Sequence, residues 1–502
     1  VKPRTAFRLQ EATVDGIHEA MRSGDISCRE LVQLYIDRID AYDQKGPSLN
    51  ALQTLNQHAM AEADRLDAQF RASGFAGPLH GIPVMVKDQF ETSGLPTTYG
   101  SALFRGFAPQ RNATVVEKLK AAGAIILAKT NMGEFAAGCA GSAFGWCRNP
   151  YDPERDPSGS SSGTGIAMAA NFGAVGIGED TTGSIRGPAA RNSLVGLRPT
   201  LPLVSRFGMM PSNPTRDTAG SIARTVRDTA LLLDVLAGYD PNDPVTAASV
   251  GHVPATYTSF LDSDGLRGMR LGVIREVMAS DTDPKEADFL RVRAAIDQAL
   301  GELADCGAEI VDPVVIAGLT DLLPQTSGAF ETEAAIDAYL AQHPNAPVKT
   351  LQEIVLSADV LLHQRMRLMR SIGRTTDELP YLHLMQTREA LRQAVLKAMA
   401  DHQVDALVYA TFDHEPQRIP PDILTSPRSG LQKGSNRTLC PMVTCPALSV
   451  PAGFTDGGLP VGIEFLGRPF TEGTLLRIAY AYEQHTHHRQ PPPTTPPLAG
   501  EP

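Results

Sequence analysis

Six cysteines in 502 residues are too few for a disulfide framework, and a chain this long buries enough apolar surface to need none. None falls in a C-x-x-C pair, and Cys440 and Cys445 have no second pair at zinc spacing, which argues against a structural zinc. Positive charge is short as well: 45 Lys and Arg stand against 56 Asp and Glu, a formal charge of −11. No broad basic face for nucleic acid is expected from that balance. Long hydrophobic runs are missing too. The longest nearly uncharged stretch, 166–178, is too short and too glycine-rich to span a bilayer. There is no internal repeat. The chain begins at Val1 rather than Met, so the compartment stays open between cytoplasm and secretion with a signal removed.

What is present is a globular composition, 42% apolar and 20% charged. Two helices are expected in the first 45 residues, the second opened by a capping box from Ser27 to Glu30 and followed by Leu31, Leu34, Tyr35 and Ile39 at helical spacing. From about Gly77, short apolar strands at 82–86 and 124–127 alternate with helices such as 114–122. Such alternation predicts an α/β sheet that is at least partly parallel. Further on, the pattern predicts a helix over 223–236 and a strand over 270–274. A long amphipathic helix should then start with Asp283 as N-cap and Pro284 at its first position. Residues 320–402 read as helical and locally basic, with Arg365 and Arg367 taken as exposed helix charges rather than as a carboxylate-binding pair. Strands return at 406–410, 447–450 and 460–466. Residues 1–490 are therefore read as one domain whose sheet is interrupted by the helical region, and 491–502 as a proline-rich, extended, mobile tail.

Residues 156–200 break the rhythm with glycine, serine and threonine. A flexible linker is the plain reading, but linkers are usually less apolar and do not place Asp180 and Arg186 either side of a turn. Two glycine-rich turns can instead aim backbone N–H groups and hydroxyls at one anion, either a phosphate or an acyl oxyanion. A phosphate loop needs a Lys after its second glycine, and none follows either turn. A G-x-S-x-G elbow is equally missing, since Gly183-Ser184-Ile185-Arg186 lacks the spacing.

Gly159-Ser160-Ser161 followed by Asp180-Thr181-Thr182-Gly183-Ser184-Ile185-Arg186 strongly resembles the amidase signature family. Three further stretches agree: Gly81 through Asp88, Lys129 through Phe135, and Leu448 through Pro451 leading to Gly458 through Gly462. The resemblance runs over roughly residues 8–488. It implies an α/β fold with a large twisted mixed β-sheet core flanked by helices on both sides. It also implies a Ser–cis-Ser–Lys catalytic unit, with Ser184 as nucleophile, Ser160 as bridging serine with a cis peptide before it, and Lys87 as base. Ser160 is chosen from the run Ser160, Ser161, Ser162 because it lies twenty-four residues before Ser184, the family's spacing. The residue types suit that chemistry. A serine hydroxyl needs a base to become a nucleophile, and burial at the end of an apolar strand lowers a lysine's pKa. Taken alone, Lys87 would read as an ordinary lysine paired with Asp88; the shared motifs favour the base.

By the same resemblance the backbone N–H groups of Thr181, Thr182, Gly183 and Ser184 form an oxyanion hole, supported by Ser161 and by an Asp180–Arg186 ion pair. Ala136, Ala137 and Gly138 line an acyl pocket, and their small size suggests room for a bulky or aromatic acyl group. Cys139 and Cys147 flank that pocket as small buried hydrophobes. The chain departs from the family pattern at Thr182, where a glycine is usual, at Glu179, where a threonine is usual, and at Ser158 and Ser162 in place of glycines. Thr182 should stiffen or narrow the site if its φ is negative. His485, His487 and His488 look like a metal tract but read as solvated surface after a helix. No metal or organic cofactor is implied. The expected partner is a small amide or carbamate, with no nucleic acid and no membrane, on a monomer or homodimer. Two rivals stand beside an amide or urethane hydrolase: the glutaminase subunit of a tRNA-dependent amidotransferase, and a non-catalytic binding protein on the same fold.

Overall fold

The computed structural model describes residues 7–426 and 431–502, so Val1 lies outside the described residues. Thirteen strands occur among them: β1 (Leu52–Leu55), β2 (Pro83–Lys87), β3 (Ile125–Thr130), β4 (Ala140–Gly141), β5 (Gly145–Trp146), β6 (Val175–Asp180), β7 (Val195–Arg198), β8 (Thr218–Ala223), β9 (Arg270–Val273), β10 (Glu309–Val311), β11 (Ala406–Ala410), β12 (Ala447–Phe454) and β13 (Pro460–Leu466). Eleven of them form one sheet in the order β1-β3-β2-β6-β8-β7-β12-β13-β11-β9-β10, and β4 and β5 make a separate hairpin. The sheet is mixed. Strand β2 runs parallel to β3 and β6, whereas β8, β7, β12 and β13 form an antiparallel stretch.

The central strands β2, β3, β6, β7 and β8 are buried along their whole length. Helices cover them, and the parallel pair β2 and β3 accordingly reads as near-continuous apolar runs rather than alternating ones. The helix Ser162–Ala169 packs on β2 and β6, Arg186–Arg191 on β7, β12 and β13, and Ala287–Asp305 on β12 and β13. The helices between Leu319 and Asp401 lie in sequence between β10 and β11, and both of those strands pair with β9. The chain thus leaves the sheet, builds a helical layer and returns to the same edge region.

Three local expectations are corrected. The helix placed at 223–236 runs Val226–Leu236, because Ala223 closes β8 and Thr225 caps the helix by accepting from the N–H of Asp228 at 3.1 Å. The helix expected to start at Asp283 starts at Ala287. The Asp283 carboxylate instead accepts from Lys285 N–H, and its own N–H donates to His414 Nε2, which spends it on a turn one step earlier. The tail 491–502 is not free. Glu501 pairs with the fully buried Arg38 at 2.8 Å, Tyr42 Oη donates to Pro496 O, and Leu9 N–H donates to Pro502 O. A buried guanidinium needs a counterion, and here the tail brings it.

Candidate active site

Parallel pairing of β2 with β6, with Val86 opposite Ile177, brings the carboxyl ends of both strands to one edge. Lys87 is the last residue of β2 and Asp180 the last of β6. The turn that precedes the helix Ser162–Ala169 carries Ser160 to that edge, and the turn after β6 carries Ser184 there. Open α/β sheets place ligands at such carboxyl ends.

Lys87 is fully buried and donates from Nζ to Ser160 Oγ at 2.8 Å and to Glu179 Oε2 at 2.7 Å. Burial draws its pKa below the ordinary lysine value, and the Glu179 carboxylate opposes that shift. Asp88 does not pair with Lys87. Its partner is Lys129, at 3.0 Å. The Gly159–Ser160 peptide is cis. Only glycine fits before it, because a Cβ on Gly159 would stand 1.8 Å from the Gly138 carbonyl oxygen. Ser161 Oγ donates to the Glu179 carbonyl at 3.2 Å, and Ser184 keeps 7% exposure.

Asp180 organises the second turn. Its carboxylate accepts from Gly183 N–H at 2.6 Å and Ile185 N–H at 3.2 Å, and pairs with Arg186 Nε at 3.2 Å and Arg198 Nη1 at 3.1 Å. Burial alone would raise its pKa; the two guanidiniums reverse this and hold it far below the usual carboxylate range. The Gly183 N–H, expected in the oxyanion hole, is thus engaged by Asp180, and the donors of that set outside this contact are Thr181, Thr182 and Ser184. Thr182 keeps a negative φ, and its side chain is exposed rather than packed against the turn.

The three small residues expected to open an acyl pocket do different things. Ala136 lines an apolar cavity with Tyr99, Met132, Phe135, Met210 and Leu368, whose free volume of about 10 Å³ holds no more than a water. The Ala137 carbonyl accepts from Gln364 Nε2 at 3.0 Å, and the Gly138 carbonyl abuts Gly159. The three residues thus do not together open the space expected of them, because Phe135, Met210 and their neighbours fill it. Arg367, read as an exposed charge, is a wall of the same cavity. It donates to Phe135 O and Gln364 Oε1, both at 2.8 Å, and burial brings its pKa down to about 10.

Sequence reasoning missed Arg437. Its Nη1 donates to Ser158 Oγ at 3.2 Å and to Gly183 O at 3.0 Å, joining the two serine-bearing turns, while its guanidinium lies over the Phe412 ring. Glycine at 183 and 187 is required by the same side chain, since a Cβ at either would overlap it. Nothing local in the sequence marks Arg437. Among the described residues the histidine tract gathers no ligand set: His488 Nε2 meets Glu302 at 2.6 Å and His485 Nδ1 meets the Ala481 carbonyl.

The Amidase family model matches residues 30–476. A glutamyl-tRNA(Gln) amidotransferase subunit of Thermosynechococcus vestitus is 34% identical, over 96% of this chain and 99% of that one. A probable amidase of Arabidopsis thaliana is 31% identical over 98% and 93%. The structure of native peptide amidase from Stenotrophomonas maltophilia superposes with a TM-score of 0.86 at 34% identity, covering 97% of this chain and 99% of that one. Matches of this length, to sequence and to fold alike, mean that the chain belongs to the amidase signature family, whose enzymes act on C–N bonds.

Proposed function

We propose that this protein hydrolyses the C–N bond of amides through an acyl-enzyme on Ser184, with Lys87 as general base acting through Ser160. The buried 2.8 Å hydrogen bond from Lys87 to Ser160, at the strand edge that also receives Ser184, carries this reading. Neutral Lys87 takes the Ser160 proton while Ser160 takes the Ser184 proton, and Ser184 Oγ attacks the carbonyl carbon. The N–H groups of Thr181, Thr182 and Ser184 are the donors available to the oxyanion; losing one such donor costs about 100- to 1,000-fold in rate. The C–N bond then breaks, the amine leaves with the relayed proton, and water releases the acid by the same route.

The substrate class is amides with a peptide-like or aryl acyl group. The likeness to a peptide amidase supports the first; an aryl group beside Ala136 needs Phe135 or Met210 to move, since that cavity has room for no more than a water. Carbamates offer the same carbonyl geometry and form the adjacent class. The 34% identity to a glutamyl-tRNA(Gln) amidotransferase component supports a second reading, a glutaminase working with a partner. One panel separates them. Amine or ammonia release from the purified chain alone is measured on a peptide amide, an aryl acylamide, an aryl carbamate and glutamine, with Ser184→Ala as blank. Turnover of an amide that vanishes in the variant supports the stand-alone hydrolase; turnover of glutamine alone supports the partnered glutaminase; activity surviving in the variant overturns the mechanism.

A further inference from the structure

Behind Lys87 lies a chain of acidic groups that the hydrolytic cycle just described does not use. Glu179 presents Oε2 to Lys87 at 2.7 Å and Oε1 to Thr181 Oγ1 at 2.5 Å. The same Thr181 hydroxyl lies 2.6 Å from Asp217 Oδ1, and Asp217 Oδ2 accepts the N–H groups of Ser212 and Asn213, each at 2.7 Å. Lys87, Glu179 and Asp217 are at most 1% exposed.

A hydroxyl has one hydrogen and can donate to only one of two carboxylate oxygens. Both contacts are of hydrogen-bond length, so one of the two carboxyl groups must carry a proton and donate it to Thr181. Asp217 is the better holder, because Lys87 faces Glu179 directly. Burial and the neighbouring Glu179 push the Asp217 pKa up to about 7. Asp180 also faces Lys87, from the same strand as Glu179, but Arg186 and Arg198 already neutralise it. From the loop before β8, Arg216 faces Asp217, and Arg206 faces it from the segment after β7.

We propose that Glu179 is a positioning residue that sets the protonation state of Lys87, and that Asp217, through the Thr181 hydroxyl, holds the proton that limits the charge facing Lys87 to a single carboxylate. The ordered wire is Asp217 Oδ1–H to Thr181 Oγ1, Thr181 O–H to Glu179 Oε1, and Glu179 Oε2 to Lys87 Nζ. The base must shed its proton before it can accept one from Ser160, and an anion beside it resists that loss. This chain has glutamate where the family pattern it resembles has threonine, so its base is held to a higher pH than an uncharged neighbour would allow.

The inference rests on Ser184 being activated by Lys87, and its test reads that activation without the natural substrate. A fluorophosphonate probe forms a bond from Ser184 Oγ to phosphorus and expels fluoride, and its labelling rate is followed from pH 5 to pH 10. In the wild type the rate rises as Lys87 becomes neutral. Glu179→Gln should move that rise to lower pH by about one unit or more, the size of shift an adjacent opposite charge produces. Asp217→Asn keeps an oxygen for the two backbone N–H groups and a donor for Thr181, so it replaces one neutral group by another. It should move the rise by less than Glu179→Gln does, and only above about pH 7, where Asp217 loses its proton. Glu179→Gln with an unmoved rise, or with a uniform loss at every pH, overturns the proposal, as does a larger shift from Asp217→Asn. Labelling of Ser184→Ala at the wild-type rate, or none in the wild type, overturns the serine-nucleophile reading beneath it.

Discussion

Lys87 and Lys129 look alike in sequence: each follows an apolar strand, each is wholly buried, and each meets a carboxylate, Glu179 at 2.7 Å and Asp88 at 3.0 Å. Burial lowers the pKa of both, against the pull of that carboxylate. Their strands are parallel neighbours, with Val86 opposite Lys129 and Lys87 opposite Thr130. Side chains alternate along a strand, so the one-residue offset sends the two lysines to opposite faces of the sheet. Lys87 meets a serine hydroxyl at the carboxyl edge, whereas Lys129 donates to the Phe90 carbonyl and to Thr97 Oγ1. What a buried lysine meets thus depends on which face it takes and what the next crossover puts there.

The comparison breaks most decisively on the two lysines themselves. Lys87→Met should cut amide turnover by about 10,000-fold or more, as loss of a catalytic base does in other serine hydrolases, while the protein still unfolds cooperatively. Comparable residual turnover in Lys87→Met and Lys129→Met would erase the distinction. Lys129→Met should act on stability instead. It strands Asp88 in the interior, and breaking a buried pair costs about 3–5 kcal/mol, read as a fall in denaturation midpoint with turnover per folded molecule retained.

Arg437 sharpens the catalytic side of the comparison. Arg437→Lys removes the fork that joins Ser158 to Gly183, and a small misplacement of the two turns should lower kcat by about 100-fold with little change in midpoint. A fall in stability with kcat unchanged would reassign it to bracing, beside Lys129.

The smallest effect is on stability against pH. Asp217 has its folded pKa raised, so between the ordinary carboxylate range and about 7 the native state binds more protons than the unfolded one. Its contribution is therefore present at low pH and lost as pH rises through about 7. Asp228 and Glu483, raised to about 6 and about 7, act in the same direction. The wild-type midpoint should thus fall from pH 5 to pH 8 more steeply than that of Asp217→Asn; parallel curves would show that Asp217 titrates in its ordinary range.

Much of the candidate site was legible as local turns because its motifs are short. Gly159-Ser160-Ser161 and Asp180 through Arg186 each fold into one turn, and glycine there answers to close approach: Gly159 to the Gly138 carbonyl, Gly183 to Arg437. Strand positions were legible from their apolar runs, with β2 and β3 found within a few residues. The helix starts at Val226 and Ala287 were missed for two reasons. Ala223 belongs to β8, which the apolar run did not separate from the helix, and Asp283, the better cap signal, is held in a turn while Glu286 opens the helix with no side-chain cap bond. Arg437 was invisible because its bond to Gly183 spans 254 residues. The tail was misread because composition shows the proline, not that Arg38 lies buried beneath it.

By itself the sequence determined the apolar strands, the glycine turns and the residue types that make a hydroxyl and an amine available, since these depend on neighbours within a few positions. The tertiary structure alone decided which lysine meets the serine, that Glu179 and Asp217 share the Thr181 hydroxyl behind it, that Gly183 gives its N–H to Asp180, and that Arg437 ties the turns together. Those contacts depend on strand order and register, which bring together groups far apart in the chain, and the hydrogen-bonding and charge requirements of buried groups then dictate how they pair.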